Sequence, residues 1–206
     1  MRVSVRRVAM ATFIGAMIML TADVLKSQSA SAEALVTSLR EGGYVLVMRH
    51  ARSPREAPDQ QTANADNLKL ERQLDEEGRT GAAAMGKALR DLKIPIGNVL
   101  TSPTYRALET VRLAQLANPQ SYVELGDSGQ SMQGVSDAQA AWLRERVTHV
   151  PTGTNTIVVT HMPNIAQAFP SWDAVADGEV VVVGPDGRGG TRQVGRIKIE
   201  EWPRLR

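Results

Sequence analysis

The chain has 206 residues, room for one domain of ordinary size and a short extra segment. It has no cysteine, which excludes disulfides, thiolate chemistry and Cys-based zinc sites, and its histidines are His50, His149 and His161. Residues 1–32 hold Arg2, Arg6, Arg7 and Lys26 against Asp23; setting them aside reduces the 24 basic and 22 acidic residues to 20 and 21, which excludes a strongly basic nucleic-acid footprint.

Met1 to Arg7 is short and cationic, and Val8 to Ala22 is apolar apart from Thr12 and Thr21. A polar stretch then ends in Ala30-Ser31-Ala32. A basic start, a short apolar centre and small residues before a cut define a secretory signal peptide over 1–32, cleaved after Ala32. Its apolar centre is shorter than the roughly 20 residues a membrane-spanning helix needs. The expected product is periplasmic or secreted, with no stable membrane insertion after cleavage, and an uncleaved anchor is the competing reading.

Glu33 to Arg40 reads as a short helix closed by Gly42-Gly43. Tyr44-Val45-Leu46-Val47-Met48 is an unbroken apolar run, the pattern of a strand buried on both faces. It runs straight into Arg49-His50-Ala51-Arg52. Residues 52–68 are polar, without period, and contain Pro54 and Pro58, so they form a long loop placed to cover a site.

Asp75 caps the next helix, with Glu76 and Glu77 in its first turn, and Ala82, Met85, Leu89 and Leu92 keep helical spacing as far as Pro95. Val99-Leu100-Thr101 predicts a strand. Ser102-Pro103 predicts a helix restart with Ser as cap and Ala107, Val111 and Ala114 facing inward. Tyr122 to Leu125 predicts another strand, and Gly126 to Gly134 a Gly/Ser loop. Ser136 with Gln139 forms a capping box for a helix through Val147. Thr156-Ile157-Val158-Val159-Thr160 is a second fully apolar strand, and it ends at His161. Glu179 to Val183 and Gln193 to Ile199 flank a Gly-rich turn and predict a C-terminal β-hairpin. Strands alternating with helices imply an α/β fold with a mostly parallel central sheet covered on both faces.

Parallel strands place their C-terminal ends on one edge, where open α/β sheets bind ligands. Arg49-His50, Arg106 and His161 can therefore converge there. Arg106 falls in the first turn of its helix, where free N–H groups and the helix dipole also favour an anion. Two arginines and two imidazoles suit a phosphoryl group, whose transfer depends on positioning and charge stabilisation. No Gly-Lys-Ser/Thr phosphate loop is present, and the histidines lack metal-ligand spacing, so neither cofactor nor metal is expected.

Four ordered blocks carry a family likeness. They are Val47-Met48-Arg49-His50-Ala51, Leu74-Asp75-Glu76-Glu77-Gly78-Arg79, Thr101 to Thr110, and Val158-Val159-Thr160-His161-Met162-Pro163-Asn164-Ile165. Over roughly residues 43–200 the chain resembles the histidine phosphatase superfamily, which includes phosphoglycerate mutases and acid phosphatases. It is most similar to small exported members such as lipopolysaccharide-core heptose-phosphate phosphatases. The resemblance implies a phosphoglycerate mutase-like three-layer α/β/α domain over 33–206. It also implies a metal-independent phosphomonoesterase with His50 as nucleophile, and Arg49, Arg106 and His161 on the phosphoryl oxygens.

The resemblance further implies a carboxylic acid to protonate the leaving group. Met162 stands where the acid phosphatase branch has Asp, and Ala51 where Gly is usual. Glu179 is the first choice for the acid and Glu124 the second. Arg52 and Asn164 are candidate substrate contacts, with surface charge and turn capping as competing readings. His149, at a helix C-terminus, reads as structural, Arg72 and Arg79 as helix-surface charges, and Glu109 as a structural ion-pair partner. The expected substrate is a phosphorylated small molecule or glycan, selected by the loop 52–68 and the segment 126–134. A non-catalytic phospho-ligand binder and a phosphomutase remain as alternatives.

Overall fold

A computed structural model describes residues 33–127 and 134–206. The expected signal peptide and most of the Gly/Ser loop lie outside the described residues. The chain runs from helix α1 (33–41) to strand β1 (Tyr44–Arg49), helix α2 (Glu76–Asp91) and strand β2 (Ile96–Thr101). Helix α3 (Tyr105–Leu113), strand β3 (Pro119–Ser121), a 3-10 turn (Val123–Leu125) and helix α4 (Asp137–Thr148) follow. Strand β4 (Asn155–Thr160), helix α5 (Met162–Ala168), strands β5 (Val180–Pro185) and β6 (Thr191–Ile197), and a closing 3-10 turn (Trp202–Arg204) complete it.

The six strands form one sheet in the order β3-β2-β4-β1-β5-β6. β3, β2, β4 and β1 are parallel, and β5 and β6 add an antiparallel hairpin beside β1. Residue alternation sorts the strands' side chains into two layers. Leu46, Met48, Ile157, Val159, Val180 and Val182 pack under α1, α2 and α3, against Val36, Leu39, Met85, Leu89 and Val111. Val45, Val47, Val158, Val181 and Val183 face the other way, against Leu143 and Val147 of α4 and Ile165 of α5. Each fully buried aliphatic side chain contributes about 1.5–3 kcal/mol, so the two layers hold the sheet edge that carries the polar residues.

The helix caps follow from local chemistry. Asp75 accepts a hydrogen bond from the Gly78 amide at 2.8 Å, and Ser136 with Gln139 forms the reciprocal capping box expected for α4. Two boundaries differ from expectation. Thr104, not Ser102, is the N-cap residue of α3. The Ser102 hydroxyl is instead drawn to Thr104 and His161. The strand expected at Tyr122–Leu125 is the 3-10 turn, and pairing with β2 occurs earlier, at Pro119–Ser121. Leu125 is buried while Val123 is exposed, a pattern set by packing against β4 and α4 rather than by strand alternation.

Candidate active site

Register brings the two histidines together. Arg49 pairs with Thr160 at the ends of β1 and β4, so His50 and His161 leave the sheet side by side. The His50 amide donates to the Thr160 carbonyl at 2.9 Å. The Ser102 amide, just past β2, donates to the Val159 carbonyl at the same length and places the start of α3 on this edge.

His50 is 3% exposed. Its Nδ1 lies 2.8 Å from the Ala51 carbonyl, which can only accept, so Nδ1 carries the proton. The Nε2 lone pair is then left facing Arg106, whose Nε–H donates to it at 3.2 Å. Ala51, where glycine is usual in the resembling family, is fully buried, and its amide donates to the Thr110 hydroxyl.

Arg106, 1% exposed, is the second residue of α3 and the hub of the cluster. Its Nη2 donates to His161 Nδ1 at 3.1 Å and to an Asp127 carboxylate oxygen. Nη1 is buried without a partner among the described residues, as is Nε of Arg49. Unsatisfied buried donors are rare in folded proteins, and a guanidinium that keeps one is suited to an incoming anion. Arg49 is otherwise held at 3.0 Å by the Val175 carbonyl and at 2.7 Å by Asp177. His161 Nε2 donates to the Ser102 hydroxyl at 2.8 Å, and its Nδ1 stands 3.5 Å from Asp127.

Electrostatics keep both imidazoles neutral. Burial is the largest effect pushing His50 well below 6.5, followed by the charges of His161 and Arg106. Burial again leads for His161, followed by Arg106, Arg72 and Arg49. A buried imidazole beside guanidinium groups, Arg106 and Arg49 in the case of His50, binds a proton poorly, so His50 keeps a lone pair on Nε2 at neutral pH.

The structure thus gathers Arg49, His50, Arg106 and His161. It does not bring the other expected residues to them. Arg52 turns onto Asp75 and Glu77 at the start of α2 and is 55% exposed. Asn164 is a brace: its side-chain amide donates to the carbonyls of Glu124 and Gly126. The carbonyl is the part of Glu124 that Asn164 holds, and Gln139 reaches the same two carbonyls from α4. Glu179, the first choice for the acid, is gripped by Arg196 through two hydrogen bonds of 2.8 Å. Burial works to raise its pKa, but Arg196 and the Ala176 amide together prevail and hold it below the ordinary glutamate value. That is the wrong direction for a proton donor.

His149 accepts the structural reading: it bonds the Glu145 carbonyl at 2.9 Å on the surface of α4. Arg72 is not a helix-surface charge; it lies in the loop before α2 and donates to the Pro54 carbonyl at 2.6 Å. Burial first, then the nearby Arg106 charge, lower its pKa. Glu109 is structural, but it holds backbone rather than only an arginine. Its carboxylate accepts from the Leu74 amide at 2.8 Å and from Asn64 at 3.0 Å, pinning the covering loop. Asp127 and Asp177 are the carboxylates that sequence reasoning missed. Neither sits in a pattern that separates it from an ordinary loop aspartate.

Convergent arginines and neutral histidines thus stand at the C-terminal edge of the parallel strands of an α/β fold, an arrangement whose chemistry suits a phosphoryl-type anion. The family model described as the histidine phosphatase superfamily (branch 1) matches residues 45–125, a span that includes Arg49, His50 and Arg106. Over that span the chain is similar to the histidine phosphatase superfamily. No curated protein matches it. Among solved structures, the protein histidine phosphatase SixA complexed with tungstate is 19% identical, with a TM-score of 0.54 over 77% of this chain and 98% of its own. A phosphoserine phosphatase variant from Entamoeba histolytica, in complex with phosphoserine, is 10% identical, with a TM-score of 0.52 over 76% and 98%. These likenesses concern the fold, and they agree with the phosphoglycerate mutase-like architecture described above.

Proposed function

We propose that the protein is a metal-independent phosphomonoesterase that works through a phosphohistidine on His50. One observation carries this reading: the proton-free Nε2 of His50 points at the same guanidinium that bonds His161, so nucleophile and anion ligands share one focus. That SixA binds tungstate, a tetrahedral oxyanion, on the same fold supports it.

The phosphoryl group is seated on Arg106, Arg49 and His161. Nε2 of His50 attacks phosphorus in line, the P–N bond forms and the bond to the leaving oxygen breaks. Asp127, on Arg106 and beside His161, is the carboxyl group placed to give that oxygen its proton. Water then attacks the phosphohistidine, Asp127 takes the proton back, and orthophosphate leaves. Splitting the transfer into two displacements eases each one.

The substrate in this reading is a phosphorylated small molecule or glycan met outside the cytoplasm after removal of residues 1–32. Lipopolysaccharide-core heptose phosphates are the class implied by the resemblance to exported relatives. The test is His50→Ala with a generic phosphomonoester, alongside acid-labile phosphate trapping on the wild-type chain. Turnover falls on the order of a thousandfold or more when a covalent nucleophile is removed. Unchanged turnover in the folded variant overturns the nucleophile assignment.

A further inference from the structure

Buried Glu179 and half-buried Arg196 form a pair that the reaction above does not use. Arg196, on β6, meets Glu179 with Nε and Nη2, and its remaining donors reach the Asp173 carbonyl at 3.2 Å and the Ala174 carbonyl at 2.8 Å. The second oxygen of Glu179 also accepts the Ala176 amide at 2.8 Å. One guanidinium and one carboxylate therefore hold three residues of one turn, 173, 174 and 176, on either side of Val175. The other side of this turn faces the site. The Val175 carbonyl and the Asp177 carboxylate are the two groups that hold the Arg49 side chain. The Gly178 amide donates to the carbonyls of Arg49 and His50, and the Glu179 carbonyl accepts from the Arg49 amide.

Gly178 makes the close approach possible, with a positive φ of 74° and Ile199 2.6 Å from where a Cβ would stand. The turn is neither helix nor strand, and these side-chain bonds hold its 173–176 part, beside the buried Val175 side chain and the backbone bonds of Gly178.

We propose that the Arg196–Glu179 pair is a positioning device for the phosphoryl site: it fixes the 173–178 turn, and the turn fixes the direction of the Arg49 guanidinium. The inference rests on the reading of Arg49 as a phosphoryl ligand. A carboxylate expected to donate a proton is thereby assigned a different task, that of aiming a cation it does not touch. Arg196 is suited to it because its planar fork meets the carboxylate and two carbonyls together, which a lysine cannot do.

The test is a double-mutant cycle with orthophosphate as the probe, binding measured by calorimetry on the mature chain. Arg196→Ala weakens orthophosphate binding roughly ten- to hundredfold, the usual cost of losing a group that orients a ligating residue. Arg49→Ala weakens it at least as much. The double variant binds no more weakly than Arg49→Ala alone, because Arg196 acts only through Arg49. Glu179→Gln shows the same non-additive loss. Independent losses that multiply in full overturn the proposal, since uncoupled sites add. Should Arg196→Ala fail to fold, Arg196→Lys enters the cycle in its place, with a smaller but equally non-additive loss. A wild-type chain that binds orthophosphate but hydrolyses no phosphomonoester refutes the enzyme reading and leaves the cycle decisive. A wild-type chain that binds none refutes this proposal as well.

Discussion

The imidazole rings of His50 and His161 stand 5.1 Å apart, centroid to centroid, tilted by 59°, and Arg106 is bonded to both. Neither ring stacks on the other. Each keeps one nitrogen for the guanidinium and gives the other to a fixed acceptor, the Ala51 carbonyl or the Ser102 hydroxyl. The pair is thus held in defined tautomers by neutral groups, and among the described residues the full charge bonded to both is the Arg106 cation.

Arg106 should accordingly be irreplaceable by another cation. Arg106→Lys keeps the charge but loses the fork that reaches both rings and Asp127 together. The expected result is a fall in kcat of roughly a hundredfold, the scale for losing one preorganised donor. Steady-state kinetics on a folded Lys variant with wild-type turnover would contradict the hub role.

Asp127→Asn separates proton donation from charge stabilisation. Loss of a general acid costs roughly 10²- to 10⁴-fold, and the cost should track the leaving group. An alkyl phosphate, whose departing oxygen needs a proton, should suffer most. A nitrophenyl phosphate, whose departing oxygen does not, should suffer least. Equal losses on both substrates point away from Asp127 as the acid.

The depressed histidines predict a pH dependence of stability and of rate. Both folded-state values lie well below the unfolded 6.5. Folding therefore excludes protons that the unfolded chain binds, and stability is full above pH 6.5 and falls as pH drops below it. Chemical denaturation between pH 7.5 and 5 should show this decline, and it should shrink in His161→Ala. The acid limb of kcat/KM assigned to the free nucleophile should likewise lie below 6.5. A limb at or above that value is incompatible with the buried, arginine-flanked His50 described here.

Gly86 supplies a control away from the chemistry. A Cβ there would stand 1.9 Å from the Ala114 carbonyl, where α2 crosses the end of α3. Gly86→Ala should cost roughly 1–3 kcal/mol by overpacking, read as a lower denaturation midpoint, while kcat of the folded fraction stays at the wild-type value.

Much of this architecture is written in local sequence. β1 and β4 are unbroken apolar runs ending in histidine, and Asp75 and Ser136 carry their caps with them. These features need only neighbours in the chain. Asp127 needs more: its place depends on Thr160, Asn164 and Gln139 gripping the carbonyls of residues 124–126 from three other elements. Glu179 was misleading for the same reason. Its partner Arg196 lies 17 residues on, across a hairpin whose register includes a bulge between Val182 and Val183. A carboxylate that begins a strand near a histidine reads as an acid until that cation is placed beside it.

The ends of the sheet have a bearing on how the molecule behaves in company. β3 is three residues long and starts with Pro119, which has no amide hydrogen to offer. At the far margin, Arg192 and Arg196 punctuate β6, and a bulge interrupts its ladder with β5. Short, proline-bearing or charged borders discourage strand-to-strand recruitment of other chains. A protein so bounded can crowd with its own copies at high concentration without being templated into fibrils along those borders.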